Sequence, residues 1–201
     1  MSLQQAIMSW KKMSRTFKAP IFLVLVFVCV SFGCNSTDLS TSKSAPKTAL
    51  PMPPTNGASI NNLGWTFGGG KRNVFSDFKG KVLILDFYAT WCEPCRRSVP
   101  HLVGLQQQYE SQGLQVVGLN VGGEDDQEKV PEFANEFGIQ YTLAKPDDEL
   151  VTLLMANNDA IPQTFVFDRQ GQLAERLIGF GPNAGDRIDS AVAAALQTPA
   201  P

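Results

Sequence analysis

The chain has 201 residues, 43% of them hydrophobic, a net charge of −2, four cysteines and a single histidine. Its lysines and arginines do not gather into the dense basic patch that a phosphate backbone demands, which argues against nucleic-acid binding. One Cys-x-x-Cys and His101 also fall short of the four ligands of a structural zinc site, so no metal is expected.

At the N-terminus Lys11, Lys12, Arg15 and Lys18 precede the apolar run Ile21 to Val30. That run is shorter than the about 20 residues of a bilayer-spanning helix and matches the core of a secretion signal, predicted over residues 1–33. An uncleaved single-pass anchor is the alternative. Ser31-Phe32-Gly33-Cys34 resembles a bacterial lipobox, which implies that Cys34 becomes the lipidated first residue of the mature chain and that Cys29 leaves with the signal. The implied location is the bacterial cell envelope, on a lipid anchor facing the periplasm or the cell exterior. Loss of the signal's four basic side chains takes the net charge from −2 to −6. Residues 34–58 are rich in Ser, Thr, Pro and Lys, bury too little apolar surface to offset the cost of ordering, and read as a flexible tether.

Residues 59–201 suit one domain, which would bury roughly two-thirds of its unfolded surface. Trp65-Thr66-Phe67, Gly68-Gly69-Gly70 and Asn73-Val74-Phe75 predict an N-terminal β-hairpin. Val82 to Tyr88 is an apolar run with the look of a buried strand, Pro94 to Gln112 a helix, and Leu114 to Val121 a second strand bounded by glycines. Glu124-Asp125-Asp126 is expected to open a helix ending near Gly138, with the acids on a solvated face. Asp147-Asp148-Glu149 opens a short helix to about Met155. Phe165 to Phe167 and Leu173 to Ile178 form a hairpin across Arg169-Gln170-Gly171-Gln172, and Ala184 to Leu196 closes the chain as a helix.

Between the first buried strand and its helix lies Trp91-Cys92-Glu93-Pro94-Cys95. A helix starting at about Glu93 puts Cys92 at its N-cap, where unpaired N–H groups and the macrodipole favour a thiolate; Cys92 is therefore the expected nucleophile. Cys95, three residues on, shares its helical face and is the expected resolving thiol. Pro94 in the first turn costs no hydrogen bond and stiffens the pair, whereas Glu93 works weakly against the thiolate. The loop a Cys92–Cys95 bridge closes is too short for a useful structural staple.

Asp86 to Cys95, together with Pro100 and the distant Ile161-Pro162-Gln163-Thr164-Phe165, resembles the thioredoxin fold, and Phe78-Lys79-Gly80-Lys81-Val82 ahead of the motif narrows the likeness to TlpA-like and ResA-like thiol-disulfide reductases over about residues 60–181. The fold this implies is α/β, a central mixed sheet flanked by helices, here with the added N-terminal hairpin. Asp86 then matches a buried acid able to take the Cys95 proton, Pro162 a cis-proline whose preceding Ile161 backbone pairs with substrate, and Trp91 the aromatic flank of the site. ResA-like proteins often carry a glutamate three residues after the second cysteine; this chain has Ser98 there, which moves the proton role toward Asp86. The implied partners are disulfide-bearing proteins, cytochrome c precursors among them, and a membrane dithiol electron donor; no cofactor is required.

Three other chemistries compete. A disulfide-forming oxidase would need a more strongly stabilised thiolate than Glu93 favours. Peroxiredoxin-like peroxidases place a threonine three residues and a proline seven residues before the nucleophile, where this chain has Ala89 and Leu85. A copper carrier generally wants three residues between its cysteines and a suitably placed histidine.

Overall fold

A computed structural model describes residues 59–156 and 158–201. The expected signal over 1–33, Cys34 with its lipid, and the tether over 34–58 lie outside the described residues.

The first strand in the buried core is β3, Val82–Tyr88, every residue of which is buried. Because strand side chains alternate, this apolar run serves two cores at once. Leu83, Leu85 and Phe87 face one side, with Phe165, Phe167, Val117 and Leu119; Val82 and Ile84 face the other, with Val116 and Val166. Around it lie β1 (Gly64–Phe67), β2 (Lys71–Val74), β4 (Leu114–Asn120), β5 (Thr142–Pro146), β6 (Gln163–Phe167) and β7 (Leu173–Ile178). The seven strands form one sheet in the order β2-β1-β5-β4-β3-β6-β7. β3, β4 and β5 run parallel, while β6 and β7 on one side and β1 and β2 on the other are added antiparallel.

Helices cover both faces. On the Val82 side, Leu102 and Leu105 of α1 (Glu93–Tyr109) and Ile188, Ala191, Val192 and Ala195 of α5 (Ala184–Leu196) close the core. On the Leu83 side, Leu150, Leu154 and Met155 of α4 (Asp148–Met155) do so, joined by Trp65 and Phe75 from the hairpin region. The glycine run turns β1 into β2 as expected, and the closing helix and the β6–β7 hairpin also lie where the sequence puts them.

Two features differ from expectation. The helix over 124–138 is broken into α2 (Glu124–Gln127) and α3 (Val130–Phe137). Pro131 explains the break, since its ring has no N–H for the preceding turn and would clash with it; in the first turn of a new helix it costs nothing. β5 carries no alternating pattern strong enough to mark it, yet it fills the slot between β4 and β1.

Candidate active site

α1 leaves the C-terminal end of β3 by a short turn and packs back along the strand. Cys95 and Val99 group with Tyr88, and Leu102 and Leu105 group with Ile84 and Val82. Asp86 lies between those strand positions on the same face, so its side chain falls under the first turns of the helix.

Cys92 is the N-cap of α1. Its Sγ accepts the Cys95 backbone N–H at 3.2 Å, the hydrogen bond that a thiolate there would also receive. The two cysteines are joined as a disulfide with their Cα atoms 5.2 Å apart, so the spacing that suggested an exchanging pair does bring the sulfurs into bonding contact. Cys95 is wholly buried, whereas Cys92 keeps 4% of its surface open. That asymmetry leaves only one sulfur for an incoming disulfide to reach. Trp91, 65% exposed, stands beside it. Pro94 occupies the first turn of α1, and Glu93 is exposed and pairs with Arg97 at 3.6 Å. A pairing between such exposed groups is weak and only partly offsets the Glu93 charge.

Across the cleft, the Ile161–Pro162 peptide bond is cis, and the Ile161 carbonyl oxygen lies 3.8 Å from Cys92 Sγ. The segment is anchored from behind. Gln163 is buried and donates to the Asn158 and Ala160 carbonyls, Arg176 donates to Gln163 Oε1, and the Gly179 N–H donates to the Pro162 carbonyl at 2.7 Å.

Asp86 is 1% exposed. Burial pushes its carboxyl from 3.8 up to about 7, against a partial opposing effect from the Thr164 hydroxyl that donates to it. Ser98 is buried and its hydroxyl donates to the Cys95 carbonyl, so the position where ResA-like proteins often carry a glutamate holds a neutral group turned back into the helix. His101 lies away from the sulfurs, 2.9 Å from Asp189 of α5.

A second buried acid departs from the sequence reading. Asp126, expected on a solvated face, points inward. Its carboxylate accepts the Thr90 backbone N–H at 2.9 Å, the Thr90 hydroxyl, and the Asn120 side-chain amide at 2.7 Å. Burial alone would raise this carboxyl; the Thr90 and Asn120 hydrogen bonds and the charge of Lys129 outweigh it and hold the group below the ordinary carboxylate range. Since Thr90 comes two residues before Cys92, this cluster fixes the turn that presents the dithiol. Gly122 makes room for the inward-pointing acid, since a Cβ there would come within 2.3 Å of the Asp126 carboxylate. Arg96 ties the same turn to α3, donating to the Thr90 carbonyl, pairing with Glu136 and lying over the Phe133 and Phe137 rings.

A cavity of about 260 Å³ lined by Phe75, Phe78, Leu83 and Phe167 lies at the far end of β3 from the sulfurs and plays no part in this chemistry. Exchange with a protein disulfide does not need a deep pocket; it needs a sulfur at the surface of a cleft, where Cys92, buried but for 4% of its surface, lies beside the Ile161 carbonyl.

A profile described as the AhpC/TSA family matches residues 44–176. Among related proteins, the chain is 27% identical over 169 residues to the thiol-disulfide oxidoreductase ResA of Geobacillus kaustophilus, covering 84% of this chain and 90% of that one. It is 32% identical to ResA of Bacillus subtilis over 55% of this chain and 60% of that one. Among solved structures, one described as a putative thiol:disulfide interchange protein DsbE from Chlorobium tepidum superposes with a TM-score of 0.60 and 27% identity, covering 74% of this chain and 99% of that one.

Proposed function

The chain belongs to the AhpC/TSA family and is a thiol-disulfide oxidoreductase of the ResA and DsbE type; from that premise we propose that it works as a reductase of protein disulfides, tethered to the bacterial envelope through lipid on Cys34. One observation carries the chemistry: Cys92 Sγ caps α1, bonds to Cys95, and opens onto the Ile161 carbonyl.

In the reduced protein the Cys92 thiolate attacks one sulfur of a substrate disulfide, and the other substrate sulfur leaves as a thiolate. The substrate strand lies against the Ile161 backbone and Pro162, with Trp91 flanking it. Cys95 gives its proton to Asp86, and its thiolate attacks Cys92 Sγ, releasing the second substrate thiolate. Two electrons pass from the dithiol to the substrate, and the Cys92–Cys95 disulfide remains. A membrane dithiol donor re-reduces it by the same exchange. The sulfurs carry the electrons, so no cofactor takes part.

Charge supports the reducing direction. A strong oxidant holds its nucleophile very firmly as thiolate. Here Glu93 stands next to Cys92, and the ionised Asp126 underlies the turn, both working against that. Ala89 and Leu85, both buried and apolar, supply no hydroxyl of the kind a peroxidase site uses. Protein disulfides are the substrate class, and the haem-attachment cysteines of cytochrome c precursors, to which the ResA-like resemblance points, are the first to try.

Redox titration of the purified full chain tests the direction. A reduction potential below about −200 mV with turnover of insulin disulfides is expected, and a value above about −150 mV would make it an oxidase. The tether is tested separately by metabolic labelling with a radioactive fatty acid, which should be incorporated by the native chain and lost in Cys34→Ser.

A further inference from the structure

We propose that Thr164 is a positioning residue for the reaction's proton acceptor: its hydroxyl, reaching across from β6, orients the Asp86 carboxylate and governs its protonation. The inference rests on the reading of Asp86 as acceptor of the Cys95 proton.

Asp86 has two neighbours in the sheet, Thr164 on β6 and Gly118 on β4. The β6 neighbour faces it directly, and the Thr164 hydroxyl donates to Asp86 Oδ1 at 2.7 Å with both side chains buried. The β4 neighbour has no side chain to offer. A Cβ at Gly118 would lie 2.6 Å from Leu143 Cδ2, 3.1 Å from Tyr88 Cε1 and 3.5 Å from Tyr141 Cε2. That flank is therefore filled by a leucine methyl and two rings, which leave no room for a cation.

The titratable groups that couple by charge to Asp86 are Tyr88 from its own strand and Tyr141 from the segment ahead of β5, and the Cys92–Cys95 disulfide of α1 packs against Tyr88 on the same face. Both tyrosines are pushed up by burial and stay neutral through the working range. Asp126 acts by its charge on Tyr88 and is not among the groups that act on Asp86. Arg176 pairs in register with Phe165 and so belongs to the opposite face of the sheet. Among the described residues, Thr164 is the one side chain that hydrogen-bonds the Asp86 carboxylate. A hydroxyl suits a group that cycles, because it donates to the carboxylate and can turn to accept from the acid. A fixed cation in its place would hold Asp86 ionised and unable to take the proton.

The test uses the full chain with carbon-13 in its aspartate carboxyls, followed by NMR across the pH range, in native protein, Thr164→Val and Thr164→Ser. Loss of one hydrogen bond to a carboxylate should move the Asp86 titration up by about one to two pH units in the valine variant. The serine variant, which keeps the hydroxyl, should return it near the native position. In parallel, the pH profile of Cys95-dependent release from a mixed disulfide on Cys92 should move the same way by a similar amount. A valine variant that titrates like the native protein overturns the proposal, and Thr164→Ala gives the same reading should valine fail to fold. If the titration moves while the release profile stays fixed, the control of Asp86 by Thr164 stands and the acceptor reading of Asp86 falls.

Discussion

Replacing Asp86 with asparagine should stabilise the protein at neutral and alkaline pH while slowing its chemistry. The carboxyl titrates at about 7 in the folded chain and at 3.8 when solvated, a difference of about three pH units. At about 1.4 kcal/mol per unit, keeping the native Asp86 ionised costs on the order of 4 kcal/mol. The sign follows from a folded-state value raised above the unfolded one. Stability is fully present below pH 4, is lost as pH rises through about 7, and levels off above that. The asparagine side chain keeps the volume and a hydrogen-bond acceptor for Thr164 but carries no charge, so the variant escapes most of this cost. Denaturant unfolding of both oxidised full-length proteins at several pH values measures the difference. The variant should be more stable by about 2 to 4 kcal/mol at pH 8, with the gap closing toward pH 4. A gap independent of pH, or an asparagine variant less stable at pH 8, would refute the idea that Asp86 is held against its charge.

Asp126→Ala should destabilise the chain by about 2 to 4 kcal/mol, read by the same unfolding experiment, because the Thr90 N–H, the Thr90 hydroxyl and the Asn120 amide would all lose their buried acceptor. Since the folded Asp126 carboxyl is depressed, its contribution is present above the solvated value and is lost as pH falls through the folded one, the acidic side of the profile. Glu93→Gln should lower the Cys92 thiol's titration point by less than about one pH unit, seen in thiolate ultraviolet absorbance, because the Glu93 side chain is exposed and already shared with Arg97. Gly118→Ala should cost about 1 to 3 kcal/mol, since the new methyl would drive Leu143 and Tyr88 off their places.

The parts of the fold legible in the sequence are those where one local rule dominates. The stretch Val82 to Tyr88, apolar but for Asp86, reads as a strand buried on both faces, and a cysteine just ahead of Glu93-Pro94 reads as a helix start. The hairpin after Pro162 announced itself through its turn residues. Contacts made between elements far apart in the chain were not legible. Asp126 looks like any surface acid among Glu124 and Asp125, and only tertiary folding reveals that Thr90, 36 residues earlier, needs its carboxylate. Thr164 likewise gains meaning only from the register that sets it opposite Asp86. β5 escaped notice because its neighbours on both sides define it and its own five residues, Thr-Leu-Ala-Lys-Pro, do not.

The central claim is that Cys92 is the sulfur that meets foreign disulfides and Cys95 the one that frees them. The full chain carrying Cys95→Ser, expressed in its own cell envelope and recovered under acid quench, measures this most directly. Disulfide-linked proteins should accumulate on Cys92, come away with a reducing agent, and vanish when Cys92 is also changed to serine. If no such adducts form, and the native protein leaves insulin disulfides intact, the assignment of these two sulfurs to thiol-disulfide exchange is wrong.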